Sequence, residues 1–207
     1  LSDLDIAVLH ADAALLVVDK PAGLLAVPGR GPDKQDCLIA RLQRRWPQAL
    51  TVHRLDEATS GLMVFALDGA AQRALGRAFE RREVVKRYTA IVHGRPDGDA
   101  GEIGLPIGLH WPERPRRRID PDGQPALTRW RVLAGDAATS RLDLEPLTGR
   151  THQLRVHLAA IGHPIVGDRL YGPERPAAPR LLLHASGLAF MHPATGAPLR
   201  VDAEAPF

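Results

Sequence analysis

The chain is nearly without cysteine. Cys37 stands alone in 207 residues, which excludes an internal disulfide and a cysteine-based zinc cluster. A reducing cytoplasm fits that usage. Long apolar runs are also missing. The longest, "ALLVV" and "LMVFAL", have the length of strands and fall far short of the roughly 18–20 residues of a membrane span. No signal peptide is visible, and the first residue, Leu1, predicts a trimmed N-terminus. Lysine is scarce as well: Lys20, Lys34 and Lys86 leave 24 of the 27 basic residues as arginine. Arginine binds phosphate and stacks on bases better than lysine does. A GC-rich coding origin produces the same composition, rich in Ala, Arg, Pro and Gly, so arginine usage alone does not decide between nucleic-acid binding and compositional bias.

What is present is ordinary for a globular protein. Hydrophobic residues make up 44% and charged residues 25%, with a formal net charge of +3, a composition that places the chain outside the disordered and fibrous classes. The length suits one full-sized domain. No internal repeat, low-complexity segment or linker interrupts it.

Strand signals dominate. "IAVLH" and "LLVVD" read as two short strands, followed by the loop "KPAGLLAVPGRGP". In "CLIARLQRRW", Leu38, Ile39, Leu42 and Trp46 recur at helical spacing, with Asp36 as a candidate cap and Pro47 as the stop. "GLMVFAL" has strand length. Asp68 then caps a second helix whose Ala71, Leu75, Ala78 and Phe79 share a face. "VVKRYTAIVHG" is rich in β-branched residues, whereas 108–125 break all periodicity with Pro and Gly. "ALTRWRVL" and "SRLDLEPL" alternate as half-buried strands. "TGRTHQLRVHLAAIG" puts Leu154, Leu158 and Ile161 on one helical face that Gly162 and Pro164 close, and "RLLLHASGLAFMHP" and "PLRVDAE" supply late strands. Helices intervene irregularly, which predicts an α+β fold with a mixed, mainly antiparallel sheet rather than a βαβ repeat.

The polar stretch "VHRLDEATSG", 52–61, sits directly before an apolar strand. Asp56 lies where a rigid sheet can aim it, although a loop Asp also commonly accepts backbone N–H bonds. In "LTGRTHQLR", Thr148 or Thr151 can cap a helix, and Arg150 lies at its N-terminus, where N–H groups and the dipole suit an anion. Arg150 and Arg155 read equally as solvated helix residues. Arg114, Arg116, Arg117 and Arg118, four arginines on a Pro-bounded loop, form a candidate RNA or DNA phosphate contact beside the reading of a solvated loop. Nine His residues show no H-x-x-x-H pair and no carboxylate cluster at ligand spacing, so no metal site is expected. Ser60 is not in a G-x-S-x-G elbow, "GRGPDKQ" lacks phosphate-loop spacing, and "KPAG" offers turn geometry and little else.

Taken together, "HRLDEATSGL" resembles the central motif of the RluA-type pseudouridine synthases. "LLVVDKPAGLLAVPGR", "KRYTAIVHG", "LTGRTHQLRVHLAAIGHPIVGDRLYG" and "LLLHASGLAFMHP" resemble that family's other segments, in the same order and over nearly the whole chain. The resemblance implies one pseudouridine-synthase catalytic domain over 1–207, with no additional RNA-binding domain of the S4 kind. It also implies isomerisation of uridine in RNA, without a cofactor because the reaction involves no net redox change. The shorter stretches "AVPGR", "WPQA" and "WPERP" are most similar to the short members that act on a 23S rRNA hairpin and a tRNA anticodon stem-loop.

By that resemblance Asp56 matches the family nucleophile, Arg150 the arginine that pairs with it, and Tyr88 the tyrosine that stacks on the target base and serves proton transfer at C5. Leu154 matches an apolar residue against the uracil, and Arg54 a residue that fills the gap left by the flipped nucleotide. A carboxylate can add to C1′ or take the 2′ proton, and both remain open. The expected partner is RNA, with no membrane and no metal, and the expected state is a cytoplasmic monomer. The alternatives are a non-catalytic RNA-binding chaperone on the same fold and a hydrolase using Ser60 or Asp56.

Overall fold

The computed structural model describes residues 6–113, 115–174 and 177–207. The chain forms two compact units, Leu1–Val85 with Ala185–Pro206, and Lys86–His184 with Phe207. The fold is α+β with a mixed, mainly antiparallel sheet, as the irregular helix spacing predicts.

In the first unit, β1 (Ala7–Ala11), β2 (Leu15–Lys20), β4 (Ser60–Ala66) and the Ala185–Met191 part of β11 (Leu183–Met191) lie side by side in that order. The short β3 (Leu50–Thr51) pairs with β4, and β12 (Pro198–Asp202) forms a hairpin with β11. All seven residues of β4 are buried, which is why "LMVFAL" is continuously apolar and does not alternate. β1 is the edge strand, mostly exposed and bulged between Val8 and His10; a bulge blunts an edge against pairing with other chains. The core gathers Leu15, Val17, Leu62, Val64, Leu75 and Phe190. Gly61 is required at the start of β4. Its φ is 114°, and a Cβ there would lie 2.3 Å from the Ala185 backbone nitrogen, so only glycine lets β11 come this close.

Helix α2 (Gly69–Glu80) begins as expected. Asp68 accepts hydrogen bonds from the Ala70 and Ala71 N–H groups, both at 2.7 Å, and Ala71 and Leu75 are buried. Helix α1 (Leu38–Gln43) buries Leu38, Ile39 and Leu42, but Asp36 does not cap it. The cap position is Cys37, and the Asp36 carboxylate instead accepts two bonds from Arg41 at 2.7 and 2.6 Å. A charged fork outcompetes a single backbone N–H for a carboxylate.

The second unit orders β5 (Val85–His93), β10 (Thr139–Pro146), β9 (Thr128–Gly135) and β6 (Ala100–Ile103) as β5-β10-β9-β6. β10 alternates between half-buried and buried along its whole length, the pattern predicted for it. The aperiodic segment 108–125 contains more order than its sequence suggests. β7 (Ile107–Leu109) and β8 (Arg117–Ile119) form a small antiparallel sheet around a 3-10 turn at Trp111–Glu113. These strands have three residues each, too short to carry a period of two that could be recognised. Helix α3 (Gln153–Ala160) is not amphipathic: Gln153 through Leu158 are all buried, polar residues included. Gly162, at φ 84°, closes the helix as expected, with the His163 N–H donating to the Leu158 carbonyl at 2.9 Å. Among the described residues no helix is long and apolar enough to cross a membrane.

Candidate functional site

Asp56 lies in the 52–59 loop that joins β3 to β4, within the first unit. The loop is tied down along its length. The Val64 N–H donates to His53 Nε2 at 3.1 Å, and the His53 ring stacks on Phe79 at 4.4 Å. The Thr59 N–H donates to the Asp56 carbonyl at 3.1 Å, and Leu55 and Thr59 are buried on either side. Glu57 has an exposed side chain, but its carbonyl accepts from the Gly23 N–H at 2.8 Å and from Lys20 Nζ at 3.1 Å. Asp56 itself is half-buried, and Arg54 is exposed on the same loop. A carboxylate on a loop with so many anchors has little conformational entropy left to lose when it meets a substrate.

In the second unit, Tyr88 is half-buried on β5, opposite Leu144 of β10. Leu154 is buried in the first turn of α3. Arg150 lies just before that helix and is pinned by its backbone and its side chain. Its N–H donates to Gln153 Oε1 at 3.0 Å, its carbonyl accepts from the Gln153 N–H at 3.1 Å, and its Nε donates to the Pro125 carbonyl at 3.1 Å. The expected threonine cap is absent. His152 occupies the cap position in the left-handed region, at φ 58°. Thr148 donates its hydroxyl to Gln153 Oε1 at 2.7 Å and accepts the Leu127 N–H at 2.9 Å. No side chain caps the helix, and the first helical residue, Gln153, turns its side-chain oxygen back to the segment before the helix, accepting from Thr148 and from the Arg150 N–H.

The arginine cluster is not of a single sign once folded. Arg114 lies outside the described residues. Arg116 pairs with Glu113 at 2.6 Å, and Arg118 pairs with Asp120 at 3.0 Å. The Arg117 N–H donates to the Tyr171 hydroxyl at 2.8 Å, and its Nε is buried without a hydrogen-bond partner. The four are therefore not equivalent as candidate phosphate contacts. Two are partly neutralised locally, and Arg117 has an unsatisfied donor at a position facing inward.

Arg155 also departs from expectation. Far from being solvated, it is buried and grips Asp168 with two bonds of 2.8 Å, while its guanidinium lies 5.2 Å from the centre of the Tyr171 ring. Burial by itself would push the Asp168 carboxyl up. The hydrogen bonds and charge of Arg155, with the Leu170 and Tyr171 N–H groups, outweigh burial and hold it below the ordinary carboxylate range.

Comparison with known proteins decides the family. The family model described as "RNA pseudouridylate synthase" matches residues 14–160. The dual-specificity RNA pseudouridine synthase RluA of Escherichia coli strain K12 is 49% identical over 97% of this chain and 93% of its own length. The relative of the same name from Yersinia pestis is 47% identical over 97% and 99%. The structure of human RNA pseudouridylate synthase domain containing 1 superimposes with a TM-score of 0.83 at 32% identity, covering 100% of this chain and 86% of that one. The chain belongs to the RNA pseudouridylate synthase family.

It is an isomerase that converts uridine to pseudouridine, and RNA is its substrate. The family matches do not favour the chaperone alternative, since they are to named synthases over almost the full chain. For a pseudouridine synthase, the residues that sequence reasoning undervalued are chiefly buried polar ones. Lys20, in the "KPAG" stretch, is fully buried, and its Nζ donates to the carbonyls of Pro21, Leu24 and Glu57 at 2.9, 2.8 and 3.1 Å. The Glu57 bond ties β2 to the residue next to Asp56. A lysine directly after an apolar strand and before Pro-Ala-Gly was the available signal. It pointed to nothing because its acceptor lies 37 residues away.

One cluster in this synthase has the donor types of a metal site. His10, Asp12 and His192 bring three potential ligand atoms within 4.8 Å of one another. The proton positions argue against that use. His192 Nδ1 accepts from the Ala194 and Thr195 N–H groups, both at 3.2 Å, so its proton sits on Nε2 and is donated to Asp12 Oδ2 at 2.8 Å. A ligating histidine needs that nitrogen bare and its other nitrogen donating. The cluster instead ties the turn after β1 to the end of β11. Burial alone would raise the Asp12 carboxyl, but His10, the Ala14 and Leu15 N–H groups and His192 together lower it strongly.

Proposed function

We propose that this pseudouridine synthase acts on a uridine displayed in an RNA stem-loop, with Asp56 as the carboxylate at the ribose. The N1–C1′ bond breaks and a C5–C1′ bond forms. The C5 proton is lost and N1 gains one, so atoms and electrons balance with no cofactor. Tyr88 is the tyrosine that stacks on the base and serves the proton transfer at C5, Leu154 the apolar wall, and Arg150 the family arginine that keeps the carboxylate ionised. Arg54 fills the gap left by the extruded nucleotide. Flipping costs a few kcal/mol and least in a loop, which suits stem-loop targets. The observation that carries this reading is the loop around Asp56, anchored through Lys20, Gly23 and His53 directly before a buried strand.

The targets are a 23S rRNA hairpin and a tRNA anticodon stem-loop, by resemblance to relatives whose name carries dual specificity. Residues 1–207 serve as one catalytic domain, acting as a cytoplasmic monomer without metal. Purified protein is expected to form pseudouridine in both stem-loops in the presence of a chelator. Asp56→Asn is expected to abolish turnover while retaining RNA binding, and turnover at the unsubstituted rate would sink the nucleophile assignment. Mass-spectrometric mapping of rRNA and tRNA from cells lacking the gene identifies the uridines, and an unchanged map in either RNA removes it as a target.

A further inference from the structure

We propose that Gln153 is a positioning residue for catalysis, holding Arg150 through a directional chain of buried hydrogen bonds. This rests on the reading of Arg150 as the catalytic arginine.

Gln153, Thr148, Thr128 and His157 are all buried polar residues of the second unit. Each end of the chain is set by a backbone group that can act in only one way. The Arg150 N–H can only donate, so the atom it meets at 3.0 Å is the Gln153 side-chain oxygen. The Leu127 carbonyl can only accept, so the atom it meets at 3.0 Å is the Gln153 side-chain nitrogen. The amide is therefore oriented by its neighbours and has no alternative flip. The Thr148 hydroxyl already accepts the Leu127 N–H, so its proton goes to Gln153 Oε1 at 2.7 Å. Gln153 Nε2 gives its second proton to Thr128 Oγ1 at 3.0 Å.

The Thr128 hydroxyl then has its proton left for His157 Nδ1, 3.0 Å away. His157 Nε2 carries its own proton to the Leu105 carbonyl at 2.8 Å. Every donor and acceptor from Leu105 to Arg150 is thereby assigned, with His157 in one neutral tautomer. Both oxygen acceptors and both nitrogen donors of the glutamine are used. The same residue's backbone N–H also takes the Arg150 carbonyl, at 3.1 Å. Gln153 thus holds both the N–H and the C=O of Arg150, and the Nε bond to the Pro125 carbonyl at 3.1 Å holds the base of the guanidinium. A buried polar side chain satisfied at all four positions specifies one geometry, and a shift of about 1 Å in a reacting group costs on the order of 100-fold in rate.

The test is steady-state kinetics on a stem-loop RNA with four variants, each checked for folding by circular dichroism. Gln153→Met keeps the volume and removes all four side-chain bonds. It is expected to lower kcat by roughly 10–100-fold with KM and RNA affinity within about twofold. Gln153→Glu keeps the two oxygen bonds to Arg150 and Thr148 and loses the two donors. It is expected to lower the melting temperature yet recover most of the kcat, which a merely structural role would not produce. In an Arg150→Lys background, Gln153→Met is expected to cost less than about threefold more, because the two act as one unit. Should the Met variant fail to fold, Gln153→Asn, which withdraws the amide by one methylene, carries the same expectation. Full kcat in the folded Met or Asn variant, a loss borne by KM, or losses that multiply with Arg150→Lys overturn the proposal. If Arg150→Lys itself keeps the original kcat, the catalytic reading of Arg150 falls and the proposal falls with it. If Arg150→Lys is impaired but the Gln153 variants are not, only the positioning role is lost.

Discussion

Replacing Asp168 with asparagine tests the buried pair behind α3. Asp168 and Arg155 have 0% and 5% side-chain exposure and meet through two bonds of 2.8 Å. Asparagine is nearly isosteric, and its Oδ1 can still accept from the Leu170 and Tyr171 N–H groups that Asp168 holds at 2.9 and 3.2 Å. What the substitution removes is the charge opposite a buried guanidinium, a change that costs about 3–5 kcal/mol. For a chain of this size each kcal/mol moves the melting temperature by about 2–4 °C, so the midpoint should fall by roughly 6–20 °C. Scanning calorimetry at neutral pH reads this directly.

Two further arms sharpen that experiment. Arg155→Met in the Asp168→Asn background removes the stranded charge and is expected to restore at least half of the deficit. The acid limb should change as well. Because the folded carboxyl lies below its ordinary value of 3.8, its contribution is complete above the unfolded pKa and is lost as pH falls below that point toward the folded value. Asp168→Asn should therefore flatten the stability profile in that acid range. A single-variant cost under about 1 kcal/mol, or a double variant no better than the single, would refute the reasoning.

Gly61→Ala should destabilise by about 2–6 kcal/mol in chemical denaturation, because the new Cβ meets Ala185 backbone at a positive φ of 114°; a cost under about 1 kcal/mol contradicts the close approach. Lys20→Met, which removes the donors to three carbonyls including that of Glu57, should lower kcat by about tenfold or more through slack in the Asp56 loop; an unchanged kcat denies the anchor. Joint substitution of Arg116, Arg117 and Arg118 by Ala should weaken RNA binding and reduce its salt slope by about 0.7 for each phosphate that is no longer neutralised. An unchanged slope would return these residues to a solvated hairpin, in which Glu113 and Asp120 already pair with Arg116 and Arg118.

Features whose cause is local could be read in advance. The Asp68 cap and the Gly162 stop depend on residues within a few positions, and the apolar runs at 15–18 and 62–66 became buried strands. The ordered motifs were enough to place the chain in its family, because long segments in fixed order match by chance far less often than one short pattern does. Features that failed had a competing side chain for a partner, even five residues away. Asp36 was a plausible cap until Arg41 claimed it, and Thr148 was one until Gln153 did.

The sequence alone determined the α+β character, which follows from hydrophobic length and local capping, while the reaction class and the candidate residues Asp56, Tyr88 and Arg150 came from the resemblance of its ordered motifs to a known family. Tertiary structure decided which polar residues are buried and what they hold. Arg150 and Arg155 are five positions apart and chemically identical, yet Arg150 is fastened by a glutamine beside the start of α3, while Arg155 is sealed against Asp168. Lys20 looked like a turn residue and proved to be an anchor for the Asp56 loop. The physical reason is the same each time. A buried donor must find an acceptor, and which one it finds, three residues away for Arg150, thirteen for Arg155 and 37 for the Glu57 bond of Lys20, is settled by the packed chain and not by a local pattern.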